Sequence, residues 1–159
     1  MLKITLLVLG KLKEKYLRDA QAEYVKRLGG LCNFTVVELE PARLPDRASA
    51  AQISAALEDE AARILAKIPA GAKVVPMCIE GKQLSSEELA QTLEKYEMES
   101  GQVVFIIGSS YGLAERVKSA GHVRLSMSKM TFPHQLARIM LEEQIYRALK
   151  IRSGSAYHK

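Results

Sequence analysis

The sequence predicts an α/β fold: a mostly parallel sheet with helices on both faces. Three observations carry the prediction. Strand-length apolar runs alternate with helical patterns along the chain. The runs Leu2–Leu9 and Val103–Ile107 are apolar almost throughout, as in strands buried on both faces. Most of the glycine and small polar residues of the second half follow Ile79, Ile107 and Leu125, where such sheets bind ligands beyond their carboxyl ends.

Each element has its own signal. Gly10 ends the first strand, Leu2–Leu9. Tyr16, Ala20 and Tyr24 recur every four residues beside Leu17, Val25 and Leu28, a helix closed by Gly29-Gly30. Phe34–Leu39 is the second strand, and Pro41 to Arg47 a loop with two prolines. Ser49 to Ile68 is helical, with Ile53, Leu57, Ile64 and Ile68 facing inward and alanines filling much of the rest. Lys73–Ile79 is the third strand and Glu80-Gly81-Lys82 a turn. Ser85 with Glu88 fits a capping box, opening a helix through Leu89, Leu93 and Tyr96. After the fourth strand, Val103–Ile107, come Gly108-Ser109-Ser110-Tyr111-Gly112 and a short helix near Ala114–Lys118. His122–Leu125 is the fifth strand. Then Ser126-Met127-Ser128-Lys129-Met130 forms a loop, and Thr131-Phe132-Pro133 leads into a long helix from His134, with proline at the first helical position. Thr131 or Phe132 then stands at the helix mouth, where unpaired N–H groups face a ligand or solvent.

The 159 residues are expected to form one domain, residues 1–159. At 48% hydrophobic and 26% charged the balance is globular. No window approaches the roughly 18 consecutive apolar residues of a membrane span. The N-terminal apolar run is too short and too β-branched for a signal peptide and reads as a strand. Cys32 and Cys78 form no CxxC, so neither a disulfide frame nor a zinc site is expected, and both should be reduced in the cytoplasm. No His/Cys/carboxylate cluster has metal-ligand spacing.

Charge is segregated. Residues 1–31 carry net +4, residues 32–115 net −6, and residues 116–159 nine Lys/Arg against two Asp/Glu, net +7. A basic C-terminal third fits either a polyanionic partner such as nucleic acid or a solvated basic face. The last helix is apolar over more than one stripe, through Leu136, Ile139, Met140, Leu141, Ile145 and Leu149. It is either a central core helix or a helix between its own sheet and a second subunit.

Few residues announce chemistry. Gly108 to Gly112 is neither GxGxxG nor a P-loop, and alone reads as a tight turn. His122 reads as structural, His134 as a ligand contact or a first-turn residue, and His158 lies in a polar tail. Arg138–Glu142 and Glu143–Arg147 have the spacing that braces a helix. Met77, Met127 and Met130, at or near strand ends, are core filler or a soft slot for a flat or thioether-containing ligand.

Three stretches go further: LLVLGKLKEKY, FIIGSSYGL and LSMSKMTFPHQLARIMLEEQIYRALKIRSGSAYHK. Together they make the chain resemble the ribosomal RNA large subunit methyltransferase H family, over essentially its whole length. Those are small SPOUT-class enzymes that methylate N3 of a pseudouridine in 23S rRNA with S-adenosylmethionine. Where the family pattern has a second glycine after the fourth strand, this chain has Ser109. The resemblance implies a C-terminal trefoil knot and a homodimer with the active site at the subunit interface. By position it implies cofactor contacts from Met77, Gly108, Met127, Ser128, Lys129, Met130, Thr131 and Phe132. Gly108→Val is then expected to block the cofactor and spare the fold. Ile139 and Ile145 are expected at the dimer interface. Candidates for substrate orientation and proton handling are Arg138, Tyr157 and His158, with His134 behind them. Tyr157 can stack on a base, and Arg152 and Lys159 can contact phosphates, if the tail closes over the target nucleotide. The competing class is a non-catalytic α/β module that binds an adenine nucleotide or RNA.

Overall fold

The computed structural model describes residues 1–158. Lys159, for which a phosphate contact is expected, lies outside the described residues. Five strands form one parallel sheet: β1 (Lys3–Leu9), β2 (Asn33–Leu39), β3 (Lys73–Gln83), β4 (Gln102–Ile107) and β5 (Leu125–Ser126). Their spatial order is β2-β1-β4-β3-β5. The helices are α1 (Lys15–Leu28), α2 (Ala50–Ala66), α3 (Ser86–Glu99), α4 (Glu115–Ser119) and α5 (His134–Arg152).

Successive strand residues point to opposite faces, so a nearly unbroken apolar run feeds two cores. Ile4, Leu6, Val103 and Phe105 pack with Leu28 of α1, Leu93 of α3 and Ile145 of α5. Leu7, Leu9, Val104 and Ile106 pack on the other side with Ile64 of α2 and Val117 of α4. Each fully buried aliphatic side chain contributes about 1.5–3 kcal/mol, far more than any one surface ion pair. The expected architecture is therefore present.

The helix starts follow from their caps. Ser85 Oγ accepts the Glu88 N–H (3.0 Å) and Glu88 Oε1 accepts the Ser85 N–H (2.9 Å). Ser49 and Gln52 make the same reciprocal pair at 3.1 and 2.8 Å. Pro133 is the N-cap of α5, with ψ 136°, one position before the expected one.

Four local readings are corrected. Glu80-Gly81-Lys82 is not a turn. It continues β3, whose register against β5 slips between Met77 and Lys82, so both pair with Leu125. The fifth strand is Leu125–Ser126 rather than His122–Leu125. His122 instead satisfies β3 from a loop: its backbone N–H donates to the Val74 carbonyl (2.8 Å) and its Nδ1 accepts the Val74 N–H (2.9 Å). In α2 the fully buried stripe is Ala56, Glu60, Ala61 and Ile64; Leu57, and Ile68 just past the helix end, face inward as expected but only half-buried, and Ile53 is not part of that core.

The fourth correction concerns α5. Of the two expected braces, one is present: Arg147 pairs with Glu143 at 3.3 Å. The Arg138–Glu142 brace is replaced by longer-range bonds. Arg138, 1% exposed, donates from Nη1 to Glu38 Oε2 on β2 (2.7 Å) and from Nη2 to the Gly10 carbonyl after β1 (2.9 Å). Glu142 is fully buried, and neither carboxyl oxygen has a hydrogen-bond partner among the described residues. Ile145 is likewise fully buried in its own protomer's core, so it is not free to face a second subunit. Among the described residues, no helix is long and apolar enough to cross a membrane.

Burial pushes the Glu142 carboxyl from 4.5 up to about 8, against the lowering influence of Arg138. The folded protein therefore holds this acid neutral, and the unfolded chain releases its proton more readily. The resulting stability is complete below pH 4.5, declines as pH rises, and is gone above about pH 8. The interval corresponds to on the order of 5 kcal/mol. Glu142→Gln should flatten that decline in urea unfolding midpoints between about pH 5 and pH 8. Parallel pH profiles for parent and variant would contradict it.

Candidate active site

Parallel strands deliver their carboxyl ends to one edge, and here the irregular stretch Met77–Glu80 of β3 and the loops after β4 and β5 enclose a cleft of about 710 Å³. Of the expected cofactor residues, Met77, Gly108, Met127, Ser128, Met130, Thr131 and Phe132 line it. Lys129 belongs to the same loop but is exposed and is not among the lining residues. The loop after β5 is bent by its own serines. Ser126 Oγ donates to the Ser128 carbonyl (3.0 Å), and Ser128 Oγ accepts the Met130 N–H (3.0 Å). The first turn of α5 then begins with the Ala137 N–H on the Pro133 carbonyl (2.9 Å). Earlier N–H groups of that turn lack intrahelical acceptors, and Pro133 and His134 border the cleft.

The wall after β4 is a tight turn in which the Gly112 N–H donates to the Ser109 carbonyl (2.8 Å) and Gly112 takes φ +83°. A Cβ on Gly108 would lie 2.2 Å from the Gly112 carbonyl oxygen. Gly108 is therefore required by the turn's own backbone. Gly108→Val must displace that turn, which corrects the expectation that it would spare the fold. Ser109 uses its hydroxyl to donate to Glu60 Oε1 (3.1 Å), and Glu60 Oε2 accepts the Ala42 N–H (2.9 Å).

The charges around the cleft are set by neighbours. Lys118 donates to Glu80 Oε1 at 2.5 Å and holds that carboxyl below its usual range. Burial, helped by the charges of Arg138 and Lys13, lowers the His134 pKa, so its imidazole is neutral at neutral pH. Burial raises the Cys78 thiol, which keeps it protonated rather than nucleophilic. Among the described residues, no group of three or more His, Cys, Asp or Glu could hold a metal ion.

The remaining candidates lie elsewhere. Arg138 is buried beneath α5 in the bonds given above and is not among the cleft's lining residues. Tyr157 donates its hydroxyl to Glu143 Oε1 (2.5 Å) and packs edge-on against Tyr146. His158 Nε2 is 2.6 Å from Glu87 Oε1, and its Nδ1 is 3.2 Å from Arg147 Nη1. The tail thus rests on α5 and the start of α3 of its own protomer. Arg152, expected to contact phosphate, is instead paired with Glu97.

Sequence reasoning names Cys78 only as a reduced thiol and Glu80 only as part of a turn, and gives Lys118 and Glu60 no role at the site. Glu60 has a signal: it is an acid on the helical phase that joins Leu57 to Ile64. Glu80 and Lys118 have none, because their meeting depends on how β3 and α4 are placed.

Comparison with known proteins agrees with this architecture. The family model described as "Predicted SPOUT methyltransferase" matches residues 2–158. A protein of Lactococcus lactis subsp. cremoris (strain SK11) is 47% identical over 159 residues, covering 99% of this chain and 100% of its own length. Relatives from Streptococcus thermophilus (strain CNRZ 1066) and Streptococcus uberis (strain ATCC BAA-854 / 0140J) are 47% and 44% identical over the same shares. All three are named ribosomal RNA large subunit methyltransferase H. A parallel sheet whose carboxyl-edge loops build one cleft, matched along nearly all its length, places this chain in the SPOUT methyltransferase family.

Proposed function

We propose that the chain is an S-adenosylmethionine-dependent methyltransferase acting on N3 of a pseudouridine in 23S rRNA of the large ribosomal subunit. It works in the cytoplasm as a homodimer of single-domain protomers, each with a C-terminal trefoil knot. The observation that carries this reading is the gathering of Met77, Gly108 and the loop after β5 around one cleft, together with the names of the relatives.

The residues present fit the cofactor. The volume falls in the range of about 300–1,000 Å³ usual for small-molecule sites. Ile79, Ile107, Leu113 and Phe132 give apolar walls for a flat ring, and bent loop backbone gives hydrogen-bonding groups. Met77, Met127 and Met130 add polarizable surface. Bound there, S-adenosylmethionine would supply an electrophilic methyl group on its sulfonium, with the sulfur leaving as a neutral thioether.

The chain's own work is to align the ring nitrogen with that methyl, exclude water and take up the nitrogen's proton. His134 borders the cleft as a neutral imidazole, the form that can accept a proton. Arg138 acts by tying the start of α5 to the ends of β1 and β2. Tyr157 and His158 orient the target nucleotide at the cleft of the second protomer, since in their own protomer both rest against helices away from the cleft. Leu136, 40% exposed, with half-buried Ile139, gives α5 an apolar face for that protomer.

Three measurements test the reading. Calorimetry should detect S-adenosylmethionine binding, and methyl transfer to ribosomes lacking the modification should follow; binding without transfer would favour a non-catalytic module. Ile139→Glu should yield folded monomers in sedimentation and lose transfer, whereas an active monomeric parent would refute the dimer. Deleting residues 157–159 should reduce transfer at least a hundredfold, about 2.7 kcal/mol of transition-state stabilisation, with cofactor affinity within about twofold of the parent. Transfer at the parent rate would show the tail dispensable.

A further inference from the structure

We propose that Glu60 is a positioning residue: through the Ser109 hydroxyl it fixes the turn that walls the cofactor cleft. The proposal rests on the reading of that cleft as the S-adenosylmethionine site.

Glu60 lies on the inward stripe of α2, between Ala56 and Ile64, and is only 4% exposed. An apolar residue would suit that stripe better, because burying a carboxylate carries a desolvation cost that packing does not. Its two oxygens reach two different loops at the same sheet edge. One accepts the Ala42 N–H after β2, and the other accepts the Ser109 hydroxyl after β4. The carboxylate thus links two connections that no strand pairing holds together.

The turn it holds has room to move. Ser110, Tyr111 and Gly112 are exposed. Behind them is a second cavity of about 190 Å³, lined by Pro41, Ala42, Leu44, Glu60, Ser110 and Tyr111. Ser109, Ser110 and Tyr111 border both that cavity and the cleft. Without the Glu60–Ser109 bond the turn can shift toward the cavity, and the cleft loses the fixed position of one wall. Such a change weakens cofactor binding more than it slows transfer at saturating cofactor.

The test compares Ser109→Ala, Glu60→Gln, Glu60→Leu and the Ser109→Ala/Glu60→Leu double variant of the full chain. The readings are S-adenosylmethionine Kd by calorimetry, cofactor KM and kcat on ribosomes, and Tm. Ser109→Ala should raise Kd and KM about fivefold to tenfold, the scale of one lost hydrogen bond, with kcat within about twofold. Glu60→Gln should bind like the parent, because its amide oxygen can accept from Ala42 and its amide nitrogen can donate to Ser109 Oγ. Glu60→Leu should weaken binding, and the double variant should bind no more weakly than Glu60→Leu alone. A Ser109→Ala protein with parental Kd overturns the proposal, as does full additivity in the double variant. If Glu60→Leu fails to fold, Ser109→Ala beside Glu60→Gln still decides. A parent that binds no cofactor removes the cleft reading and this proposal with it, whereas unchanged affinity in Ser109→Ala removes the proposal alone.

Discussion

The parallel direction of all five strands is the constraint on which the rest depends. Parallel pairing forces each connection to cross back over a face of the sheet, so α1 and α3 cover one side and α2 and α4 the other, and α5, after the last strand, joins the first side. It also sends every strand's following loop to the same edge. The cleft is the geometric result: the second half of β3 and the loops after β4 and β5, far apart in sequence, meet at that edge. The two strand neighbours that matter most, β3 and β4, pair from Lys73 with Val103 to Pro76 with Ile106. Met77 and Gly108 both follow that pairing.

A shared edge brings loops together but does not fix their heights. Buried polar groups do that here. Arg138 reaches from α5 to Glu38 and the Gly10 carbonyl, so the helix that opens at the cleft is tied to β1 and β2. Only the arginine of this pair is buried: Glu38 is about 35% exposed, so solvent screens its charge, while loss of either acceptor would leave part of a buried guanidinium unpaired. Glu60 makes the equivalent link from α2 to the loops after β2 and β4. Glu142 differs from both. It has no hydrogen-bond partner among the described residues and is held neutral by burial.

The sheet and the helices are legible in the sequence because periodicity reports local physics, and strand-end glycines mark the loops that border the cleft, whereas the cofactor residues by number come from the family resemblance. The misreadings arise where a tertiary partner overrides a local pattern. The spacing of Arg138 and Glu142 allows a brace, but Glu38 and Gly10 offer the guanidinium better partners. Glu80-Gly81-Lys82 has turn composition, yet Lys82 donates its N–H to the Arg124 carbonyl at 2.7 Å and stays in the strand. Ile145 is apolar on a broadly apolar helix, but α5 packs against α1 and α3 on the side that carries it. The role of Ser109 is equally invisible, since its acceptor is 49 residues away.

The segregation of charge along the chain has a structural use of its own. The basic C-terminal third meets an acidic middle, and the two pair in the fold. Arg116 meets Glu58, Lys118 meets Glu80, Arg124 meets Glu115, Arg138 meets Glu38 and Arg152 meets Glu97. Much of the positive charge that suggests a polyanionic partner is thus used within the protomer. Lys11, Lys13 and Lys129 differ: they are exposed and have no ion-pair partner among the described residues. They follow β1 and β5, at the same sheet edge as the cleft. The charge free to meet a polyanion there is set by which cations the fold leaves unpaired, and net charge by segment does not report it.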